Sequence, residues 1–242
     1  MPRSASKALA PLEGDLTPPD AVPDYLQRTY RWAYLDPRNL RLLDRPLVVS
    51  AILWGNADRL MRAAVAQFEP GQRVLQAACV YGAFSALLAA RLGERGELLV
   101  VDAAPIQIAN LRRKLGDLHW LRTRCADLAS GAPGLPPASR DGVACFFLLH
   151  EVPSDARRRI VDNLLAQVRV GGKVVFTDYH RPARWHPLRP VMALVFRGFE
   201  PYARSLLDED IRNLSPRGAD FEWTHETRFG GLYQQVVATR RR

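Results

Sequence analysis

Cysteine is scarce in this chain: three residues in 242, Cys79, Cys125 and Cys145, with no CxxC pair. Each lies in or beside an apolar run. A disulfide framework and a thiolate zinc site are therefore not expected, and the three read as small buried hydrophobes. No HExxH spacing occurs, which removes the helical zinc-hydrolase pattern. Long hydrophobic runs are missing too. The longest, near Pro46–Trp54, falls short of the roughly 20 apolar residues a spanning helix needs. No charged start followed by an apolar stretch opens the chain, so no secretory leader is expected. No internal repeat is visible, and no basic, aromatic-interleaved stretch marks a nucleic-acid reader.

What is present is a foldable, strongly basic composition. Apolar residues make up 48%, charged residues 24%, and the net charge is +9. One core can carry 200–250 residues, so a single α/β domain with an N-terminal extension suits the length. The chain ends Arg240-Arg241-Arg242. That run is either a solvated tail or an attraction to an anionic membrane face. The expected location is the cytoplasm, with peripheral contact on the cytoplasmic face of the inner membrane as the charge-based extension.

Residues 1–23 are rich in Pro and Ala without periodicity and read as a disordered leader. Residues 24–70 read as a helical cap. Within it, one aromatic-faced helix is expected over Tyr25–Leu35, capped by Asp24, and a longer one over Leu47–Gln67. From residue 71 strand and helix alternate. Strands are expected at Arg73–Ala77, Leu98–Asp102, His119–Thr123, Gly142–Leu149 and Lys173–Asp178, the last after a Val170-Gly171-Gly172 turn. A helix capped by Ser154 lies between the fourth and fifth. Phe221–Thr227 and Gly231–Thr239 close the chain as an antiparallel hairpin. The fold class is therefore α/β: a Rossmann-like, mostly parallel sheet over residues 71–242, with helices on both faces.

In such a sheet ligands bind beyond the C-terminal ends of the strands, where strand order reverses. The turn after the first strand reads Val74-Leu75-Gln76-Ala77-Ala78-Cys79-Val80-Tyr81-Gly82. It lacks GxGxxG, which argues against a dinucleotide enzyme. It resembles the VLDxGxGxG turn of the S-adenosylmethionine (SAM)-dependent methyltransferases, with departures: Gln76 replaces the acid, and Ala78 and Val80 replace two glycines. Gly82 is kept. Asp102, followed by Ala103, ends the second strand 20 residues after Gly82, where a carboxylate can hold both ribose hydroxyls. Its other reading is a helix N-cap. Ala126-Asp127 follows the third strand, where the resemblance implies a contact to the adenine amino group; Asp127 is equally a turn acid. Leu165–Val175 resembles the family's LxxVLxPGGxLV signature.

A closer resemblance covers Asp24 to Ala238. Tyr30–Leu35, Leu53–Arg62 and Val74–Gly82 are similar to the rhodoquinone biosynthesis proteins, relatives of the ubiquinone and menaquinone methyltransferases. That resemblance implies conversion of ubiquinone to rhodoquinone. A ring methoxy group gives way to an amino group, with SAM as amino donor and manganese required. Two other readings stand beside it: an ordinary SAM-dependent quinone or lipid methyltransferase, and a non-catalytic subunit of a quinone-biosynthesis assembly.

The departures have a chemical reading. A carboxylate at position 76 would hold the amino group of SAM as an ammonium; Gln76 cannot. A free α-amino group has a pKa of about 8, so loss of that partner favours the nucleophilic neutral amine. Tyr81 lies in the same turn and points either into the pocket or onto the following helix. Tyr30 and Tyr34 share a helix face and lid the cofactor, line a quinone slot or pack in the core. Trp54 and Asn56 are candidate substrate contacts. His150 and Glu151 after the fourth strand, and Asp178 with His180 ending the fifth, are candidates for proton handling or metal binding; Tyr81, His150 and Asp178 are the catalytic candidates. The metal ligands are not assigned. Trp185–Phe199, flanked by Arg184, Arg189, Arg197 and Arg204, is either a lid on the sheet or a membrane-facing surface.

Overall fold

The computed structural model describes residues 22–131 and 135–242. The expected leader lies almost entirely outside them. Among the described residues seven strands form one sheet: β1 Arg73–Ala77, β2 Glu97–Asp102, β3 Leu121–Cys125, β4 Arg140–Phe146, β5 Val168–Tyr179, β6 Phe221–Arg228 and β7 Tyr233–Arg240. Their order is β3-β2-β1-β4-β5-β7-β6. β1 pairs in parallel with both β2 and β4, and β7 is antiparallel to β5 and β6. Chain order therefore reverses between β1 and β4, which opens a crevice at their C-terminal ends.

Period-two alternation splits the sheet's side chains into two cores. Val74, Val100, Ala144 and Val175 face one side, with helices α4 (Ala57–Val65) and α5 (Phe84–Leu92). Leu75, Val101, Val143 and Val174 face the other, with α7 (Ser154–Gln167). α6 (Pro105–Leu115) joins the first set through Ile108 and Leu111.

Several expected boundaries shift for identifiable reasons. The aromatic-faced helix is broken: α1 spans Asp24–Arg28, and Arg31–Leu35 is a separate π-helical turn. Pro23, not Asp24, occupies the N-cap of α1. Asp36 then caps α2 (Pro37–Leu43) by accepting from the Arg38 amide at 2.8 Å. The long helix is likewise two, α3 (Pro46–Ile52) and α4, because Trp54 and Gly55 adopt φ 51° and 76°. The glycine is the stop signal that helical periodicity overran. Ser154 does not cap α7; its hydroxyl bonds Glu209 at 2.6 Å instead. β3 begins two residues later than expected. β5 runs through the Val170–Gly172 turn, with a register shift opposite Arg140–Gly142. α8 (Arg189–Gly198) and α9 (Ala203–Leu206) fill the stretch before the final hairpin.

Candidate active site

The turn after β1 is held from two sides. Asp102 Oδ2 accepts the Cys79 amide at 2.6 Å, and Oδ1 accepts the Ala104 amide at 2.7 Å. Asp102 is therefore no helix N-cap: the cap position of α6 belongs to Ala104. Burial raises the Asp102 carboxyl to about 6, against the pull of these backbone donors. On the far side of the turn, Asp44 Oδ1 accepts the Gly82 amide at 2.8 Å and Lys114 Nζ at 2.7 Å. Gly82 takes φ 83°, and a Cβ there would press on Met61 and Val49 at 3.2 Å.

Ala78 takes φ 66°, a left-handed conformation. The backbone thus keeps the shape of a glycine turn after the glycine is gone. Gln76 is completely buried. Its amide nitrogen donates to the Ala78 carbonyl at 2.9 Å and to Ser85 Oγ at 2.8 Å, and its Oε1 has no protein partner. Gln76 therefore braces the turn from beneath. Gln76 and Gly82 do not border the crevice, whereas Ala78 does.

The crevice has two adjoining compartments. The first, about 520 Å³, is bordered by Ala78, Cys79, Asp102, Ala103, Ala126 and Asp127. Asp127 sits in it as a turn acid, accepting from the Ala129 amide and the Ser130 hydroxyl, each at 2.8 Å. The second, about 880 Å³, is an aromatic chamber that includes Tyr30, Tyr34, Val80, Tyr81, Phe147 and Tyr179. Tyr34, Ala78, Cys79 and Glu151 border both, so they stand between the two.

The chamber's polar groups are organised around His150. Its Nδ1 meets Asp178 Oδ1 at 2.8 Å. Asp178 is fixed in turn by the amides of Leu149 at 2.8 Å and Tyr179 at 2.7 Å. Burial opposes charge on the imidazole, but Asp178, with Glu200 and Glu151 behind it, outweighs burial and raises His150 to about 9. His150 Nε2 remains free of strong partners, 3.7 Å from Glu151 Oε1. Tyr34 donates its hydroxyl to Glu151, and Tyr30 donates to Glu200 at 2.7 Å. Burial pushes both carboxyls above their usual range, while His150 pulls them back. Tyr81 lies flat against Tyr34, centroids 5.4 Å apart, and gives its hydroxyl to the Ala33 carbonyl.

Arg157, fully buried on α7, fastens this corner. It donates to the carbonyls of Leu149 at 2.8 Å, Val152 at 3.0 Å and Tyr202 at 2.9 Å, and pairs with Glu209. The residues on both sides of His150 and Glu151 are thereby held at fixed height.

Other sequence candidates sit elsewhere. Trp54 donates its indole N–H to Met192 Sδ at 3.3 Å, and Asn56 turns back to the carbonyls of Leu53 and Trp54. Neither borders the crevice. His180 does not pair with Asp178; its ring meets the Gly231 carbonyl at 2.9 Å. Glu200, Gln107 and Tyr179 were not singled out by the sequence. Glu200 is 170 positions from its partner Tyr30, and no local pattern announces such a contact. No three His, Cys, Asp or Glu side chains among the described residues converge on a common metal position. The manganese implied by the resemblance thus has no protein donor set here, and no step is routed through it.

Residues 74–172 match the family described as "Methyltransferase domain". The chain thus has the fold of a methyltransferase domain. Solved structures similar to this domain agree in fold. A SAM-dependent methyltransferase from Aquifex aeolicus matches at 17% identity and a TM-score of 0.57, over 84% of this chain and 97% of that one. The N-methyltransferase NodS from Bradyrhizobium japonicum, in complex with S-adenosyl-L-homocysteine, matches at 14% and 0.57, over 90% and 99%. An O-methyltransferase family protein from Burkholderia thailandensis matches at 16% and 0.62, over 87% of this chain and 62% of that one. No curated protein matches the chain. At these identities the methyltransferase domain shares its fold with these proteins and carries over no substrate from them.

Proposed function

We propose that this methyltransferase domain binds SAM in the smaller compartment and transfers a methyl group to a quinone-type aromatic ring held in the chamber. One observation carries the reading: a compartment bordered by buried Asp102 shares Glu151 with an adjoining aromatic chamber where Asp178 holds His150. Asp102 with Ala103, and Ala126 with Asp127, would hold the nucleoside. When bound, SAM supplies an electrophilic carbon on a sulfonium.

The chain's own residues supply the rest. With its pKa near 9, His150 is an imidazolium at neutral pH. Its Nε2–H then stabilises negative charge on a ring oxygen, which favours the phenolate form of a hydroquinone. Tyr30, Tyr34, Tyr81 and Phe147 offer apolar faces to a planar ring and exclude water from it. The ring-oxygen proton leaves to solvent as the ring enters, and Asp178 balances the charge of the imidazolium that pairs with the phenolate.

A second reading is favoured by Gln76, which stands where the methyltransferase pattern has an acid. Without that acid, the amino group of SAM loses an anionic partner, and its nitrogen would displace methoxide from ubiquinone, the methoxide leaving with the N–H proton; loss of a β-proton would then break the Cα–N bond and release the aminoquinone, as in rhodoquinone formation. The same imidazolium would stabilise charge on the quinone oxygen. Separate methyl-labelled and nitrogen-labelled SAM decide between them. Mass spectrometry of the ring product should show the methyl label under the first reading and the nitrogen label under the second. A protein that binds SAM and transfers neither label to any quinone overturns both.

A further inference from the structure

The face of the molecule around α8 is apolar where solvent meets it. α8 buries Met192 and Phe196 against the sheet, while Leu194 on its opposite side is 70% exposed and Val191 is 42% exposed. Just ahead of the helix Trp185 is 78% exposed, and just after it Phe199 is 59% exposed. The N-terminal segment extends this face. Trp32 meets Phe199 edge-on at 6.2 Å, and Trp54 reaches Met192. Trp32 also borders the chamber, so the exposed apolar face runs to its mouth.

Charge frames the same face. Arg184, Arg189, Arg197 and Arg204 are exposed and form no ion pair among the described residues. The terminal arginines are held differently. Arg241 and Arg242 pair with Glu222 and Asp220, and Arg240 donates to the Val168 carbonyl at 2.7 Å. Val168 begins β5, so the terminal arginines lie at the opposite edge of the sheet from the crevice. Exposed tryptophan and leucine ringed by free arginine is the chemistry of an interfacial helix, with rings at the headgroup level and guanidinium groups on phosphate.

We infer that α8 and its flanks dock on an anionic lipid bilayer, with the chamber mouth facing the lipid. Docking in this orientation lets a lipid-soluble ring pass into the chamber without crossing water. Membrane attachment itself is independent of which group is transferred.

The test uses the full chain and vesicles of phosphatidylcholine, with and without phosphatidylglycerol, in a flotation assay. Wild type should float with the phosphatidylglycerol vesicles and stay behind with phosphatidylcholine alone. Trp185→Ala with Leu194→Asp should abolish flotation, and Arg184→Ala with Arg197→Ala should weaken it about fivefold for each arginine removed. All four positions are exposed, so the melting temperature should stay with wild type; the Arg240–Arg242 deletion is expected to float normally. Equal flotation of wild type and the Trp185/Leu194 variant overturns the inference, as does equal binding to both kinds of vesicle. Without vesicles, a wild-type dimer that becomes a monomer on Leu194→Asp also overturns it, by assigning the face to a second copy of the chain.

Discussion

Asp178 holds His150 by a 2.8 Å contact in a site where both residues are at most 4% exposed. The carboxylate fixes which ring nitrogen faces the chamber and keeps that ring charged. Three neighbouring features carry tests of their own.

Asp178→Asn removes the charge and leaves the shape. His150, raised to about 9 in the folded protein from an unfolded value of about 6.5, adds stability that is complete below 6.5 and lost as pH rises through 9. In the variant this part of the pH dependence should disappear, as read from urea midpoints across that window. The alkaline limb of kcat/KM should also move from near 9 to lower pH. An unmoved limb removes the imidazolium from the chemistry.

Asp102→Ala leaves the Cys79 and Ala104 amides without a carboxylate. Hydrogen bonds to a charged group are each worth about 1.5–3 kcal/mol, so losing both should cost roughly 3–6 kcal/mol in denaturant unfolding. Calorimetric titration with S-adenosyl-L-homocysteine should show affinity at least about tenfold weaker. In wild type, burial raises this carboxyl to about 6, so nucleoside binding that needs the carboxylate should fade as pH falls through 6.

Ala78→Gly returns a glycine to a backbone at φ 66°. A left-handed residue with a Cβ costs about 1–2 kcal/mol, and the extra freedom of glycine when unfolded gives back about 0.4–1. The net gain should be about 0.5–1 kcal/mol, a rise of roughly 1–4 °C in melting temperature by calorimetry.

Arg157→Met should destabilise the protein by about 3–5 kcal/mol in urea, because Glu209 and three carbonyls lose their shared donor. Its effect on kcat should exceed its effect on SAM affinity. Arg157 anchors the turn that carries His150 and lies away from the groups bordering the nucleoside compartment.

Where the fold was readable, short-range physics set it. Leu98–Asp102 is an apolar run ending in one acid, and that acid stands at the crevice because a strand ends there. The closing hairpin was legible from its Phe229–Gly231 turn. The N-terminal helices were misjudged because helical periodicity continues through Trp54 and Gly55, and only the positive φ of those residues separates α3 from α4. The site divided in the same way. Asp102, Asp127, His150 and Asp178 follow strands, so their places were implied by the alternation. Glu200 and Arg157 act through contacts between distant segments, which no spacing encodes. Gln76 was assigned to the ligand because of its place in a motif, yet its side chain is spent on Ala78 and Ser85.

Tyr30 and Glu200 join the N-terminal segment to the stretch between β5 and β6 at the chamber, like a latch across a lidded box. The nucleoside compartment is walled almost wholly by the alternating core, whereas the ceiling of the chamber belongs to segments on either side of it. Exchanging residues 30–34 and 199–202 would therefore retune which ring is admitted, while the machinery beneath keeps its grip on the donor.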